Sequence, residues 1–211
     1  MSRKKNKLIF GWGVNDVDYE VYKYEVVNGK KKVVWVCPYY QKWKDTLKRC
    51  FDSKHQEKYP TYKGCTVTED WKYLSNFIKW VNKQPNKDWV NCQPDKDILV
   101  NGNKHYSPET VVFISNLLNS FITDSLGTRG GCMIGVSLTD SKINPYRSNC
   151  SNPFTKGSGH MGMFPTELEA HKAWQAKKHE YACQLADLQS DPRVAKALRE
   201  RYAPDKDWTK R

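Results

Sequence analysis

The chain has 211 residues, a formal net charge of +12 and a sequence pI near 9.3. Its hydrophobic fraction is 38% and its mean hydropathy −0.80, too polar for one large core, so small interiors built on its 8 Trp and 12 Tyr are expected. This balance argues against a membrane partner and for a polyanion: nucleic acid first, with RNA or an acidic protein surface behind it. The apolar run Leu8-Ile9-Phe10 is too short for a signal core or a membrane span, so a cytoplasmic protein is expected. The 7 cysteines are odd in number and scattered, and read as reduced thiols.

In chain order, residues 1–7 form a basic arm, either a frayed tail or a phosphate-contacting arm. Two β-prone runs, Tyr19 to Val27 and Lys30 to Val36, flank Asn28-Gly29, a strong hairpin signal. Lys30, Lys31 and Lys32 then sit near its tip, facing solvent or a phosphate backbone. Tyr39 to Phe51 reads as a helix, because Trp43, Leu47 and Cys50 share one face while Lys48 and Arg49 decorate the rest. A second helix is expected to open at Thr68, as N-cap, and to bury Trp71, Leu74, Phe77, Ile78 and Val81.

The segment Pro94 to Asn119 carries the candidate chemistry. Asp95, Lys96 and Asp97 precede a polar turn, Asn101-Gly102-Asn103-Lys104, and then a β-branched run, Val111 to Ile114. The reading is strand, turn, strand and helix start. Period-two alternation places Asp95 and Asp97 on one side of the first strand. Acid and amide oxygens in such a unit suit Mg²⁺ or Mn²⁺, and the same acids also suit a solvated hairpin.

Beyond it, Thr128-Arg129-Gly130-Gly131 reads as a linker. Met133 to Val136 and Met161 to Phe164 read as strands, with a long loop over Ser148 to Gly159 between them. Thr166 and Glu169 form a capping-box pattern opening a helix to about Ala186, with Ala170, Ala173, Trp174, Tyr181 and Leu185 inward. A short helix after Asp191-Pro192 and a loose tail from Ala203 follow.

Several motifs recur together in one order. They are Trp43-x-x-x-Leu47-x-Arg49-Cys50-Phe51, Tyr59-Pro60-Thr61-Tyr62-x-x-Cys65, Asp95-Lys96-Asp97-Ile98-Leu99, Tyr106-Ser107-Pro108-Glu109, Asn119, Gly135-Val136-Ser137, Gly162-Met163-Phe164 and Glu169-Ala170. Across most of its length the chain thereby resembles phage-type HNH endonucleases of the homing class with an AP2-like DNA-binding segment. The resemblance implies an α+β fold: an HNH-like ββα unit with flanking helices, then a small sheet backed by a helix. Its divisions would be 1–36, the basic arm and hairpin; 37–127, the nuclease domain; and 128–211, the AP2-like module with the last helices.

The resemblance also implies a metal-dependent endonuclease acting on double-stranded DNA. Asp95 and Asn119 would be ligands of one Mg²⁺ or Mn²⁺, with Asp97 as a further ligand or a holder of metal-bound water. The usual base position holds Lys96, which is protonated at neutral pH in its ordinary state; it is either a base whose pKa is lowered by burial beside a cation or a phosphate contact, and His105 is the candidate substitute base. Lys30, Lys31, Lys32, Lys104, Lys142, Arg147 and Lys156 are the candidate DNA contacts. Cys50 and Cys65 match cysteine positions of the family, but the third position is Val111 and no C-x-x-C pair exists, so structural zinc is not expected. The alternatives are a nicking enzyme, a DNA-binding scaffold without catalysis, and a protein that binds and inhibits a host or defence protein.

Overall fold

A computed structural model describes residues 8–123 and 131–209. The basic arm 1–7 and the linker positions 128–130 lie outside the described residues. The protein is α+β, with small sheets, and divides into two compact units, Met1–Ser115 and Asn116–Arg211.

The first unit begins with a β-ribbon. Strands β1 (Tyr22–Val27) and β2 (Lys30–Val36) pair antiparallel across Asn28 and Gly29. Both turn residues have positive φ, 52° and 71°, as the tight two-residue turn matched to strand twist requires. The ribbon is largely exposed, including Val26, Val34 and Trp35.

Helix α1 (Pro38–Phe51) buries Tyr40, Trp43, Leu47 and Cys50 and ends beside the short α2 (Ser53–Lys58), which Asp52 caps by accepting from the His55 N–H. After β3 (Thr66–Val67), a 3-10 turn over Glu69–Lys72 carries buried Trp71. Helix α3 (Leu74–Asn82) then buries Leu74, Phe77, Trp80 and Val81.

The expected start of this helix is split. Thr68 makes no side-chain cap, and Tyr73 is extended between the 3-10 turn and α3. The first turn of α3 is capped instead by Asp16, whose carboxylate accepts from the Ser75 N–H at 2.9 Å and from Ser75 Oγ at 2.6 Å. A cap 59 residues away leaves no local signature in the sequence.

Strands β4 (Gln93–Asp95) and β6 (Val112–Ile114) pair antiparallel, with Asp95 opposite Val112. Between them, β5 (His105–Tyr106) leaves to pair parallel with β3. Because β4 stops at Asp95, Asp97 lies in the following turn, not on the same strand face as Asp95.

The second unit opens with α4 (Asn116–Ile122). Its sheet holds β7 (Val136–Leu138), β8 (Tyr146–Asn149) and β9 (His160–Phe164), antiparallel in that order. The central strand falls partly where a loop was expected. It is short and polar, and pairing on both edges supplies what its own β-propensity does not. Ser148 is fully buried, whereas Arg147 and Asn149 are exposed, as alternation along a strand requires.

Helix α5 (Glu167–Asp187) packs on this sheet and opens with the expected capping box. Thr166 Oγ1 accepts from the Glu169 N–H at 3.2 Å and donates to its carboxylate at 2.9 Å. Helix α6 (Pro192–Arg201) is capped by Asp191. The segment after it is not loose. Trp208 is 2% exposed and stacks on Tyr202 at 4.8 Å, and Gln175 donates to the carbonyls of Ala203 and Lys206. One isolated tryptophan anchors that stretch, so no periodicity announced it.

Gly13 lies against α1 so closely that an added Cβ would sit 2.3 Å from Leu47 Cδ1 and 2.7 Å from the Trp43 ring. Gly13→Ala is therefore expected to destabilise the first unit by about 1–3 kcal/mol, the usual cost of overpacking. Urea unfolding followed by tryptophan fluorescence measures it, and an unchanged midpoint would contradict this packing.

Candidate functional site

The end of β4 fixes one carboxylate. Asp95 Oδ1 accepts from the backbone N–H groups of Asp97 at 2.9 Å and Ile98 at 2.7 Å, closing an Asx turn. Its Oδ2 accepts no hydrogen bond among the described residues. Burial raises the Asp95 carboxyl above its ordinary value; the Ile98 N–H opposes this, the Asp97 charge adds to it, and the Asp97 N–H and Lys96 oppose it.

Two cations stand beside this turn. Lys96 is 5% exposed; its Nζ lies 2.6 Å from Asp97 Oδ2 and 5.9 Å above the centre of the Tyr106 ring. Arg49, from the last turn of α1, donates from Nη1 to the Pro94 carbonyl at 3.0 Å and lies 5.4 Å over the Tyr62 ring. The turn cation thus pairs with Asp97, while the helix cation holds the backbone one residue before Asp95. Burial pushes the Cys50 thiol up to about 12 and also raises Cys65, which keeps both as neutral packing groups.

His105 lies on β5, exposed, with Nδ1 2.8 Å from Thr66 Oγ1. Asn103 links its backbone to the acid turn, donating to the Lys96 carbonyl at 3.0 Å and the His105 carbonyl at 2.7 Å. The structure therefore groups Asp95, Lys96 and Asp97 in one turn and ties the His105 backbone to it. Asn119 is a half-buried residue of α4, whose carbonyl accepts from Thr123 Oγ1 at 2.7 Å, and it belongs to the second unit.

Among the described residues, no three His, Cys, Asp or Glu side chains are grouped to hold a metal ion. The donors at Asp95 fit a hard ion that keeps much of its water. Mg²⁺ typically takes one or two carboxylates and completes its shell with water and substrate phosphate.

The candidate DNA contacts are all exposed and are distributed over both units. Lys30, Lys31 and Lys32 line β2. Lys104 donates to the Thr61 carbonyl. Lys142 lies between β7 and β8, Arg147 on β8, and Lys156 between β8 and β9.

Next to Arg49 is a cavity that sequence reasoning did not find. About 210 Å³ in volume, it is lined by Asp45, Lys48, Arg49, His55, Tyr59 and Tyr62. Desolvation, then the Lys48 charge, lowers His55 below its ordinary value, so its ring is neutral at pH 7. The only sequence signal is the clustering of Tyr59, Tyr62 and His55 within eight positions of one another, and nothing sets Arg49 apart from the other basic residues of α1.

Comparison of the chain with protein-family models, with curated proteins and with solved structures returns no match.

The raised Asp95 carboxyl has a consequence for stability. The folded state binds this proton more tightly than the unfolded chain, so ionising Asp95 opposes folding. That opposition is absent below the ordinary carboxylate range, near pH 3.9, and grows as pH rises through the elevated value. Asp95→Asn, which retains Oδ1 as an acceptor, is expected to melt higher than wild type at neutral pH and to lose that advantage in acid. Paired melts across the pH range check this; a constant offset would contradict it.

Proposed function

We propose that the chain is a DNA-binding endonuclease of the HNH type that uses one Mg²⁺ or Mn²⁺ ion. One observation carries the reading: Asp95 is pinned through Oδ1 by two backbone amides, which leaves Oδ2 without a hydrogen bond among the described residues, beside the paired Asp97 and Lys96. Asp95 would hold the ion through Oδ2, with Asp97 as the second acid. When bound, the ion supplies Lewis-acid stabilisation and lowers the pKa of attacking water.

The rest of the work falls to the chain. Arg49 and Lys96 offer positive charge to a scissile phosphate and its developing oxyanion. His105, in the tautomer in which Nδ1–H donates to Thr66, presents a lone pair on Nε2 and is the proton acceptor. Exposed Lys30, Lys31, Lys32 and Arg147 contribute to holding the duplex through its phosphates, and with the net charge of +12 they make that binding salt-sensitive.

The Lys96–Asp97 ion pair favours a second reading, in which the same hairpin binds DNA without cutting it. There Lys96 satisfies the acid that a divalent ion would otherwise share.

A supercoiled-plasmid nicking assay with Mg²⁺ or Mn²⁺ separates the two. Asp95→Ala is expected to reduce nicking by more than the roughly 10–100-fold that outer-shell changes cost, while DNA affinity is retained. Binding without nicking under either ion would leave the scaffold reading. For both, affinity should fall steeply from about 50 to 200 mM salt, by 10³-fold or more if six or more phosphates are contacted. A flat salt response would remove the DNA reading and favour a protein partner.

A further inference from the structure

We propose that the cavity between α1 and α2 is a subsite for one unpaired nucleotide of single-stranded DNA, its base stacking on Tyr59 and its phosphate meeting Lys48 and Arg49. The inference rests on the DNA-binding reading above and adds a base-recognising element to it.

Size sets the first limit. At about 210 Å³ the cavity is below the roughly 300–1,000 Å³ of sites for drug-sized ligands, so it suits one small planar group. Its wall is aromatic. Tyr62 is already stacked on His55, with centroids 5.4 Å apart and rings 21° from parallel, and Tyr59 meets Tyr62 edge to face at 6.5 Å. Tyr59 is 43% exposed, with His55 against its ring at 4.8 Å and the exposed Lys58 Nζ 5.4 Å over it, so a base stacks there in place of the Lys58 side chain.

Charge sets the second limit. Neither Lys48 nor Arg49 forms an ion pair among the described residues. The one acid in the lining, Asp45, is occupied by Gln41, whose Nε2 donates to both carboxylate oxygens at 2.9 Å. The lining thus carries two cations against one engaged carboxylate. An aromatic wall beside a net positive charge is the pattern that binds single strands: bases stack by their π-faces while the backbone meets positive charge.

Location connects the cavity to the acid turn. Arg49 spans both, with its guanidinium over Tyr62 and its Nη1 on the Pro94 carbonyl, one residue before Asp95. A strand followed from one place to the other would stay in contact with a single arginine.

The test uses the full chain and fluorescence anisotropy with three probes: a labelled single strand, the same strand with abasic sites, and a duplex. Tyr59→Ala is expected to weaken the single strand roughly 5- to 150-fold, the loss of about one base stack, and to leave the duplex within about twofold. Tyr59→Phe should restore single-strand binding. Lys48→Gln should reduce the slope of log affinity against log salt by about 0.7 on the single strand, whereas Tyr59→Ala should not change it. Equal loss on single strand and duplex, or equal wild-type affinity for intact and abasic strands, would overturn the subsite alone. Failure to bind any of the three probes would overturn the DNA reading as well.

Discussion

In the core of the first unit, the Trp43 indole N–H donates to the Trp71 carbonyl at 2.6 Å, and neither side chain has appreciable exposure. A buried donor of this kind must be paired, because leaving it unpaired costs about 1–3 kcal/mol. The bond therefore sets how α1 lies against the turn that precedes α3. The cations at the far end of α1 inherit that placement. Lys48 and Arg49 follow Trp43 by less than two turns, so fixing the tryptophan fixes which way they point. From there Arg49 reaches the Pro94 carbonyl, and the acid turn is held against the helix.

The electrostatic arrangement follows from that anchor. Asp95 is withdrawn from water and braced by backbone amides, which would be an unfavourable place for an isolated charge. Lys96 opposes that burial, and it and Arg49 rest on the rings of Tyr106 and Tyr62. Shifted groups gathered beside an opening are the physical arrangement that functional regions commonly use. The cysteines contribute packing, since all seven are unpaired thiols and most are buried.

What could be read in the sequence was whatever local pattern determines. Trp43, Leu47 and Cys50 declared α1 by spacing alone, Asn28-Gly29 declared the ribbon turn, and Thr166 with Glu169 declared the start of α5. Long-range devices were not legible. Asp16 caps a helix 59 residues away, and Trp208 closes the second unit from an otherwise polar tail. The polar central strand β8 depends on its neighbours and not on its own composition. At the candidate site, the composition of the acid turn was visible, but its geometry was not. Strand alternation predicted Asp95 and Asp97 side by side, whereas the Asx turn ends the strand and turns Asp97 toward Lys96. The cavity beside Arg49 required two helices to be brought together before it existed at all.

The β1–β2 ribbon carries a different implication. Each of its strands has an open hydrogen-bonding edge, and Val26, Val34 and Trp35 are left exposed on a sheet of only two strands. Such an edge is a template for adding a strand from another chain, and charged residues are a common guard against it. Lys30, Lys31 and Lys32 place three like charges in succession along β2, so two ribbons approaching edge to edge repel one another. Self-association at this surface is thus held off by charge, and a polyanion that neutralises those lysines also lifts the guard.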